Sequence, residues 1–169
     1  MIDPEAQHKA QAPRAIGCFV LTVSDTRTPQ NDTSGLAIRD LLVTAGHHVA
    51  GFSIVKDDEA QVTRAVRDHL ADERVQAIIT TGGTGIASRD RTYEAVRTLL
   101  DKRLDGFGEL FRMLSFQEIG SAAMMTRALA GTIGRKAVFV LPGSEKAVRL
   151  AMTRLVIPEL GHVVQQLSK

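Results

Sequence analysis

Tryptophan is absent from the 169 residues, tyrosine and cysteine each occur once, and neither charge dominates, with 21 Lys+Arg against 19 Asp+Glu for a net +2. Each shortage excludes something. The lone Cys18 has no partner in the chain, so the fold does not rest on an internal disulfide and needs no oxidising compartment. With few aromatics and no basic run or stripe, the chain lacks both the stacking platforms and the electrostatic footprint of a nucleic-acid binder. The longest apolar stretch, Ala15 to Val23, is interrupted by Gly17 and Thr22 and falls short of the roughly 20 apolar residues of a membrane span. The polar stretch from Met1 to Pro13 lacks the apolar centre of a secretory signal. These absences predict a cytoplasmic protein with neither a nucleic-acid nor a membrane partner. The length predicts one domain, residues 14–169, behind an N-terminal arm, residues 1–13.

What is present is an alternation of two periods. Ala15 to Val23, Val49 to Val55, Val75 to Thr81 and Ala137 to Leu141 are short, apolar and β-rich, as strands buried on both faces are. Between them lie helical spacings: Leu36, Leu41, Leu42 and Ala45 with Gly46 as a C-cap; Val62, Ala65, Val66 and Leu70 behind a cap at Asp57 or Asp58; and Ala95, Val96, Leu99 and Leu100. Phe107, Leu110, Phe111 and Leu114 suggest a further helix, Met124 to Ala130 fits either helix or strand, and Ser144 caps a last helix that Pro158 kinks or restarts. Strands alternating with helices predict an α/β fold of βαβ units, a mostly parallel sheet with helices on both faces.

In such sheets ligands bind beyond the carboxyl ends of the strands. Here those ends run into Ser24-Asp25, Asp57-Asp58, Thr81-Gly82-Gly83-Thr84-Gly85 with Ser88 and Asp90, and Pro142-Gly143-Ser144, so four segments converge on one rim. Three glycines in four residues let successive N–H groups face an anion, and the hydroxyls of Thr81, Thr84 and Ser88 add donors that a bare turn does not need. No lysine lies between Gly82 and Arg89, which excludes a P-loop, and Ser88 stands where a Rossmann fingerprint has glycine. Asp57 and Asp90 each follow a strand end, and Mg²⁺ on a nucleotide takes one or two carboxylates together with phosphate oxygens and water. Cys18, Met124 and Met125 read as packing, the adjacent His47 and His48 point to opposite faces in extended chain, and no Gly-x-Ser-x-Gly elbow supports an acyl-transfer serine.

Val23-Ser24-Asp25, Asp32-Thr33-Ser34-Gly35, Thr80 to Gly85 with Asp90 downstream, Gly106-Phe107-Gly108-Glu109 and Leu141-Pro142-Gly143-Ser144, five motifs in order from about Ala15 to about Leu167, resemble the MoaB/MogA family of molybdenum cofactor biosynthesis. Phe107 to Gly120 and Arg127 to Gly131 resemble its MoaB branch. The resemblance implies a three-layer α/β/α sandwich with a mostly parallel mixed sheet and a molybdopterin-binding site. It also implies adenylyl transfer, in which Mg²⁺-ATP and molybdopterin give adenylyl-molybdopterin and pyrophosphate. The family's two functional aspartates fall on Asp57 and Asp90, and Glu109, Ser115, Arg127, Ser144 and Lys146 lie on further family motifs. Trimers, and in MoaB types hexamers, are implied as well. One departure stands out: MogA-type enzymes carry proline before the first aspartate, where this chain has Lys56.

Three readings follow. In the first, Asp57 and Asp90 hold Mg²⁺, the Gly82 to Gly85 amides cradle phosphate, Ser24 and Asp25 line the pocket, and Gly143-Ser144 offers a second anion-binding helix start. In the second, motivated by Lys56 and by the MoaB-like segment from Phe107, the chain is a non-catalytic molybdopterin carrier. The third, a dinucleotide-dependent oxidoreductase, rests on the glycine loop alone. Phe107, Phe111, Met113, Leu114, Phe116 and Ile119 are more apolar than one helix face needs, which predicts a homo-oligomer.

Overall fold

A computed structural model describes residues 12–169, so the arm expected at residues 1–13 lies almost wholly outside the described residues. The elements in chain order are β1 (Gly17–Val23), α1 (Thr33–Thr44), β2 (His48–Val55), α2 (Glu59–Asp68), β3 (Ala77–Thr81), α3 (Thr92–Arg97), β4 (Lys102–Arg103), α4 (Asp105–Ile119), a 3₁₀ turn (Gly120–Met125), β5 (Leu129–Ile133), β6 (Lys136–Leu141), α5 (Glu145–Ala151), a π-helical segment (Met152–Val156) and α6 (Ile157–Leu167). They form one six-stranded sheet in the order β2-β1-β3-β6-β5-β4. The four apolar strands are parallel, and β5 runs antiparallel to both β6 and β4.

Register explains the rim. Val23 pairs with Val55, Thr22 with Thr81, and Thr81 with Leu141, so the parallel strands end at one level and discharge Ser24, Asp57, Gly82 and Pro142 side by side. Strand residues alternate between two cores: Cys18, Val20, Ile79, Phe139 and Leu141 pack with α1, α4, α5 and α6, whereas Phe19, Leu21, Ile78 and Val140 pack under α2 and α3. Both faces are covered, giving the sandwich.

Several expected faces shift. On α1 the buried set is Ser34, Gly35, Ala37, Ile38 and Leu42, while Leu36 and Ala45 are exposed. The helix N-terminus is seated so closely on β1 that a Cβ at Gly35 would overlap Thr22 Oγ1 and an Asp32 carboxylate oxygen, so small residues face inward there. On α4, Phe111 and Leu114 are buried and Leu110 is exposed. Met124 and Met125, expected to pack, stand exposed on the 3₁₀ turn after α4, outside either core. Ahead of α6, the π-helical segment carries the chain through Pro158, whose missing N–H would break an α-helical ladder.

His47 is buried with its Nδ1 accepting the Ile16 N–H, while His48 is exposed. Cys18 is fully buried, and burial pushes its thiol up to about 12. Because the thiolate is the reactive form, a maleimide or disulfide reagent at pH 8 is expected to leave native protein unmodified and to label one thiol per chain in denaturant. Stoichiometric labelling of the native protein would contradict this burial.

Candidate active site

The strand ends enclose a cavity of about 200 Å³ lined by Ser24 and Asp25 after β1, Asp57 after β2, Gly82, Gly83, Arg89 and Asp90 after β3, and Gly143 after β6. Two aspartates divide the work at its β2 side. Asp58 caps α2 by accepting the Gln61 N–H at 2.9 Å, which leaves Asp57 free of that duty. The Asp57 backbone is held instead by Asp25, whose Oδ1 accepts its N–H at 3.2 Å, and Asp57 Oδ1 accepts the Arg91 N–H at 3.0 Å. Asp90 Oδ2 accepts the Ala87 N–H at 2.8 Å. Each carboxylate thus has one oxygen tied to loop backbone.

Partial burial pushes the Asp57 carboxyl above its ordinary value; the Arg91 N–H opposes this, the charges of Asp90 and Asp25 reinforce it, and Arg89 opposes it. Negative charge is therefore crowded at this rim, and a cation or a proton relieves it.

The glycines have definite tasks. Gly82 has φ +97° and comes so close to the Val23 carbonyl that a Cβ would overlap it; its N–H donates to Leu141 O at 3.1 Å. That amide is thus committed to the sheet rather than to the phosphate cradle expected from Gly82 through Gly85. The N–H groups of Gly83, Thr84 and Gly85 have no protein acceptor among the described residues. Gly83, at φ +64°, lies beneath Asp57: a Cβ there would sit 2.8 and 2.9 Å from the two carboxylate oxygens and overlap Thr92 Oγ1.

Other predicted residues hold the rim. Thr81 is buried, and its hydroxyl donates to Pro142 O at 2.8 Å, tying the glycine loop to the β6 end instead of facing a ligand. Asp32 is buried, accepting the Gly35 N–H at 3.0 Å and the Thr22 hydroxyl at 2.8 Å, and Ser34 donates to Gly143 O at 2.8 Å. Arg127 reaches back from the start of β5: its Nε donates to Thr84 O at 3.1 Å, one terminal nitrogen donates to Asp90 O at 3.2 Å, and its guanidinium forms an ion pair with Glu94. Burial pushes the Glu94 carboxyl up, but Arg127's hydrogen bonds and charge outweigh it and hold the group below its ordinary value. Arg127 is thus a clamp on the loop.

The remaining candidates lie elsewhere. Ser115, Ser144 and Lys146 line a smaller cleft of about 70 Å³ between α4 and α5, where Ser144 caps α5 through the Ala147 N–H at 3.3 Å and Lys146 pairs with Glu118 at 3.4 Å. Thr84 is buried, Ser88 is exposed on the loop, and Glu109 is exposed on α4 outside the cavity. Arg89 lines the cavity although the sequence reading did not single it out as a site residue. Its position immediately before the aspartate was the available signal.

Comparison with known proteins now bears on this geometry. A family model described as a probable molybdopterin binding domain matches residues 19–162, well over half of the chain. Molybdenum cofactor biosynthesis protein B of Bacillus cereus is 52% identical over 164 residues, covering 96% of this chain and 97% of that protein. A crystal structure of a molybdenum cofactor biosynthesis protein B superposes with a TM-score of 0.90 at 53% identity, covering 94% of this chain and 99% of that one. The tungsten cofactor synthesizing protein MoaB of Pyrococcus furiosus superposes with a TM-score of 0.84 at 38% identity, covering 94% and 100%. Among the described residues no helix is long and apolar enough to cross a membrane.

Proposed function

This chain belongs to the MoaB/MogA family of molybdopterin-binding domains in molybdenum cofactor biosynthesis, and on that premise we propose that it adenylylates molybdopterin with Mg²⁺-ATP. An oxygen of the pterin's terminal phosphate bonds to the α-phosphorus of ATP while the bond from that phosphorus to the bridging oxygen breaks, and pyrophosphate leaves with the electron pair. The observation that carries this reading is the placement of Asp57 and Asp90 on one cavity, directly against a glycine loop whose Gly83 N–H is free. Such chemistry asks the protein for alignment and charge neutralisation rather than for a covalent partner.

Among the described residues no cluster of three or more His, Cys, Asp or Glu forms a ready cage for a metal. Two carboxylates, each with an oxygen to spare and one of them held above its ordinary pKa, suit Mg²⁺ that arrives on a nucleotide and keeps its phosphate and water ligands. Bound there, Mg²⁺ supplies charge neutralisation on the phosphates. Asp57 and Asp90 would hold that cation, the Gly83 amide receives a phosphate oxygen, and Arg89 adds the cavity's own positive charge. Ser24 and Asp25 set the far wall. Arg127 keeps the loop in place.

Lys56 does not favour the carrier reading. It is exposed, its carbonyl accepts the Asp58 N–H at 2.8 Å, and Asp57 is positioned by Asp25 and Arg91 rather than by the residue before it. The assay is direct: purified protein with molybdopterin and Mg²⁺-ATP is expected to release pyrophosphate in proportion to pterin adenylylated. Tight pterin binding with no pyrophosphate above the protein-free rate would make the chain a carrier.

We further propose a trimer or hexamer. Leu110, Met113, Phe116 and Ile119, three apart along α4, continue through Met124 and Met125 as exposed apolar surface. Light scattering at micromolar concentration is expected to give three or six chains; a monomer would refute it.

A further inference from the structure

Thr92 opens α3, and its side chain is fully buried. Its N–H donates to Gly83 O at 3.0 Å, but its hydroxyl makes no hydrogen bond among the described residues. Buried hydroxyls are ordinarily bonded, because a donor that leaves water without finding an acceptor destabilises the fold. Packing does not account for this one. Valine has the same branched shape without the polar atom.

The space at Gly83 shows what the hydroxyl adjoins. A Cβ on that glycine would overlap Thr92 Oγ1 and stand 2.8 and 2.9 Å from the two carboxylate oxygens of Asp57. Hydroxyl and carboxylate thus flank one small gap, kept open because Gly83 has no side chain. On the carboxylate, Oδ1 accepts the Arg91 N–H at 3.0 Å, while Oδ2 accepts nothing among the described residues. A donor without an acceptor therefore borders the same gap as an acceptor oxygen without a donor. Little is needed to join them: the torsion that turns an aspartate carboxylate is broad, and a threonine hydroxyl rotates its hydrogen to suit.

We propose that Thr92 is a positioning residue for Asp57, its hydroxyl donating to the carboxylate when a phosphate-bound cation engages it, so that one oxygen is held against the start of α3 and the other is presented to the cavity. This rests on the reading of Asp57 as a carboxylate that meets Mg²⁺-ATP, and adds how that carboxylate is aimed. Thr92 does not line the cavity and acts through Asp57. Carboxylates that hold a metal are themselves hydrogen-bonded, and losing such a partner costs about 10- to 100-fold in metal affinity or activity. Arg91 supplies one such bond from the backbone, and Thr92, the next residue, supplies a second from its side chain.

Two substitutions separate the hydroxyl from the shape. Thr92→Val keeps the branched side chain, so its thermal midpoint without ligand is expected to be unchanged or raised, while calorimetric affinity for Mg²⁺-ATP falls about tenfold or more. Thr92→Ser keeps the hydroxyl and loses a buried methyl, so it should melt lower yet bind Mg²⁺-ATP more tightly than Thr92→Val. A packing role gives the opposite order of affinities. Wild-type affinity in Thr92→Val, or binding by Thr92→Ser no tighter than by Thr92→Val, would overturn the proposal. Should Thr92→Val fail to fold, Thr92→Ala against Thr92→Ser isolates the hydroxyl, both having lost the methyl, and equal affinities would overturn it. If wild type and Thr92→Ser bind Mg²⁺-ATP but release no pyrophosphate with molybdopterin, the adenylylation reading falls while the role of Thr92 stands on the affinities. No binding of Mg²⁺-ATP by the wild type overturns both.

Discussion

Replacing Asp57 with asparagine is expected to cut pyrophosphate release by about 10²- to 10³-fold while making the protein more stable at neutral pH. The two effects have one origin. The asparagine keeps an oxygen for the Arg91 N–H, so the loop stays seated, but the charge that neutralises a phosphate-bound cation is gone. In the folded protein burial, with help from Asp90 and Asp25, raises the Asp57 pKa above 3.8. The folded state therefore holds this proton more tightly than the unfolded state does. Its stabilising contribution is complete below the ordinary carboxylate pKa and is lost as pH rises through the raised value, so ionised Asp57 is a net burden at pH 7. The burden is modest because the group is partly solvated; a rise in thermal midpoint of about 1–3 °C is expected at pH 7, vanishing near pH 3.5. Asp90→Asn should lose activity to a similar extent with pterin binding retained. Calorimetry at the two pH values and a pyrophosphate assay check both parts. Unaltered turnover in either variant would remove that aspartate from the mechanism.

That both aspartates and the glycine loop were legible in the sequence follows from the parallel sheet. Four apolar runs give four strands, and the register of a parallel sheet brings their carboxyl ends level, so whatever follows each run must share a rim. Ser24, Asp57, Gly82 and Gly143 were found together for that reason alone. The edge was less readable. Leu129 to Ile133 contains Ala130 and Gly131, and a side chain at Gly131 would overlap the Lys102 carbonyl, so close strand pairing replaces the apolar alternation that would mark a strand. Lys102–Arg103 is too short to carry any pattern and exists through its pairing with Gly131 and Thr132. Side-chain duties were the least visible: a threonine after a strand reads as a ligand donor, and only the fold shows that the Thr81 hydroxyl is bound to Pro142 and the Gly82 amide to Leu141. Motif membership likewise put Glu109 and Arg127 among the candidate site residues, although one is on an exposed helix face and the other acts through the loop's carbonyls.

Gly83→Ala is expected to damage the site through a single added methyl. At φ +64° an alanine accepts left-handed backbone at about 1–2 kcal/mol, and the added carbon has nowhere to go. On one side is the hydroxyl of Thr92, fully buried at the start of α3; on the other, both oxygens of Asp57 lie 2.8 and 2.9 Å away. The α3 side is pinned, because the Thr92 N–H donates to Gly83 O at 3.0 Å, so the more yielding element is the Asp57 carboxylate. Moving it breaks its bond to the Arg91 N–H and turns it from the phosphate space. A displacement on the order of 1 Å at an aligning group costs about 10²-fold in rate, to which lost stability of about 2–3 kcal/mol adds a fall of roughly 4–12 °C in the thermal midpoint. Gly134→Ala separates the two terms. Gly134, at φ +55° in the β5–β6 hairpin, has open space where its Cβ would stand, so it should show only the left-handed backbone penalty, with turnover unchanged. Equal losses of turnover in the two variants would mean that backbone strain alone, and not the approach of Gly83 to Asp57, governs the site. Full turnover in Gly83→Ala would show that the carboxylate need not lie where the glycine now lets it lie.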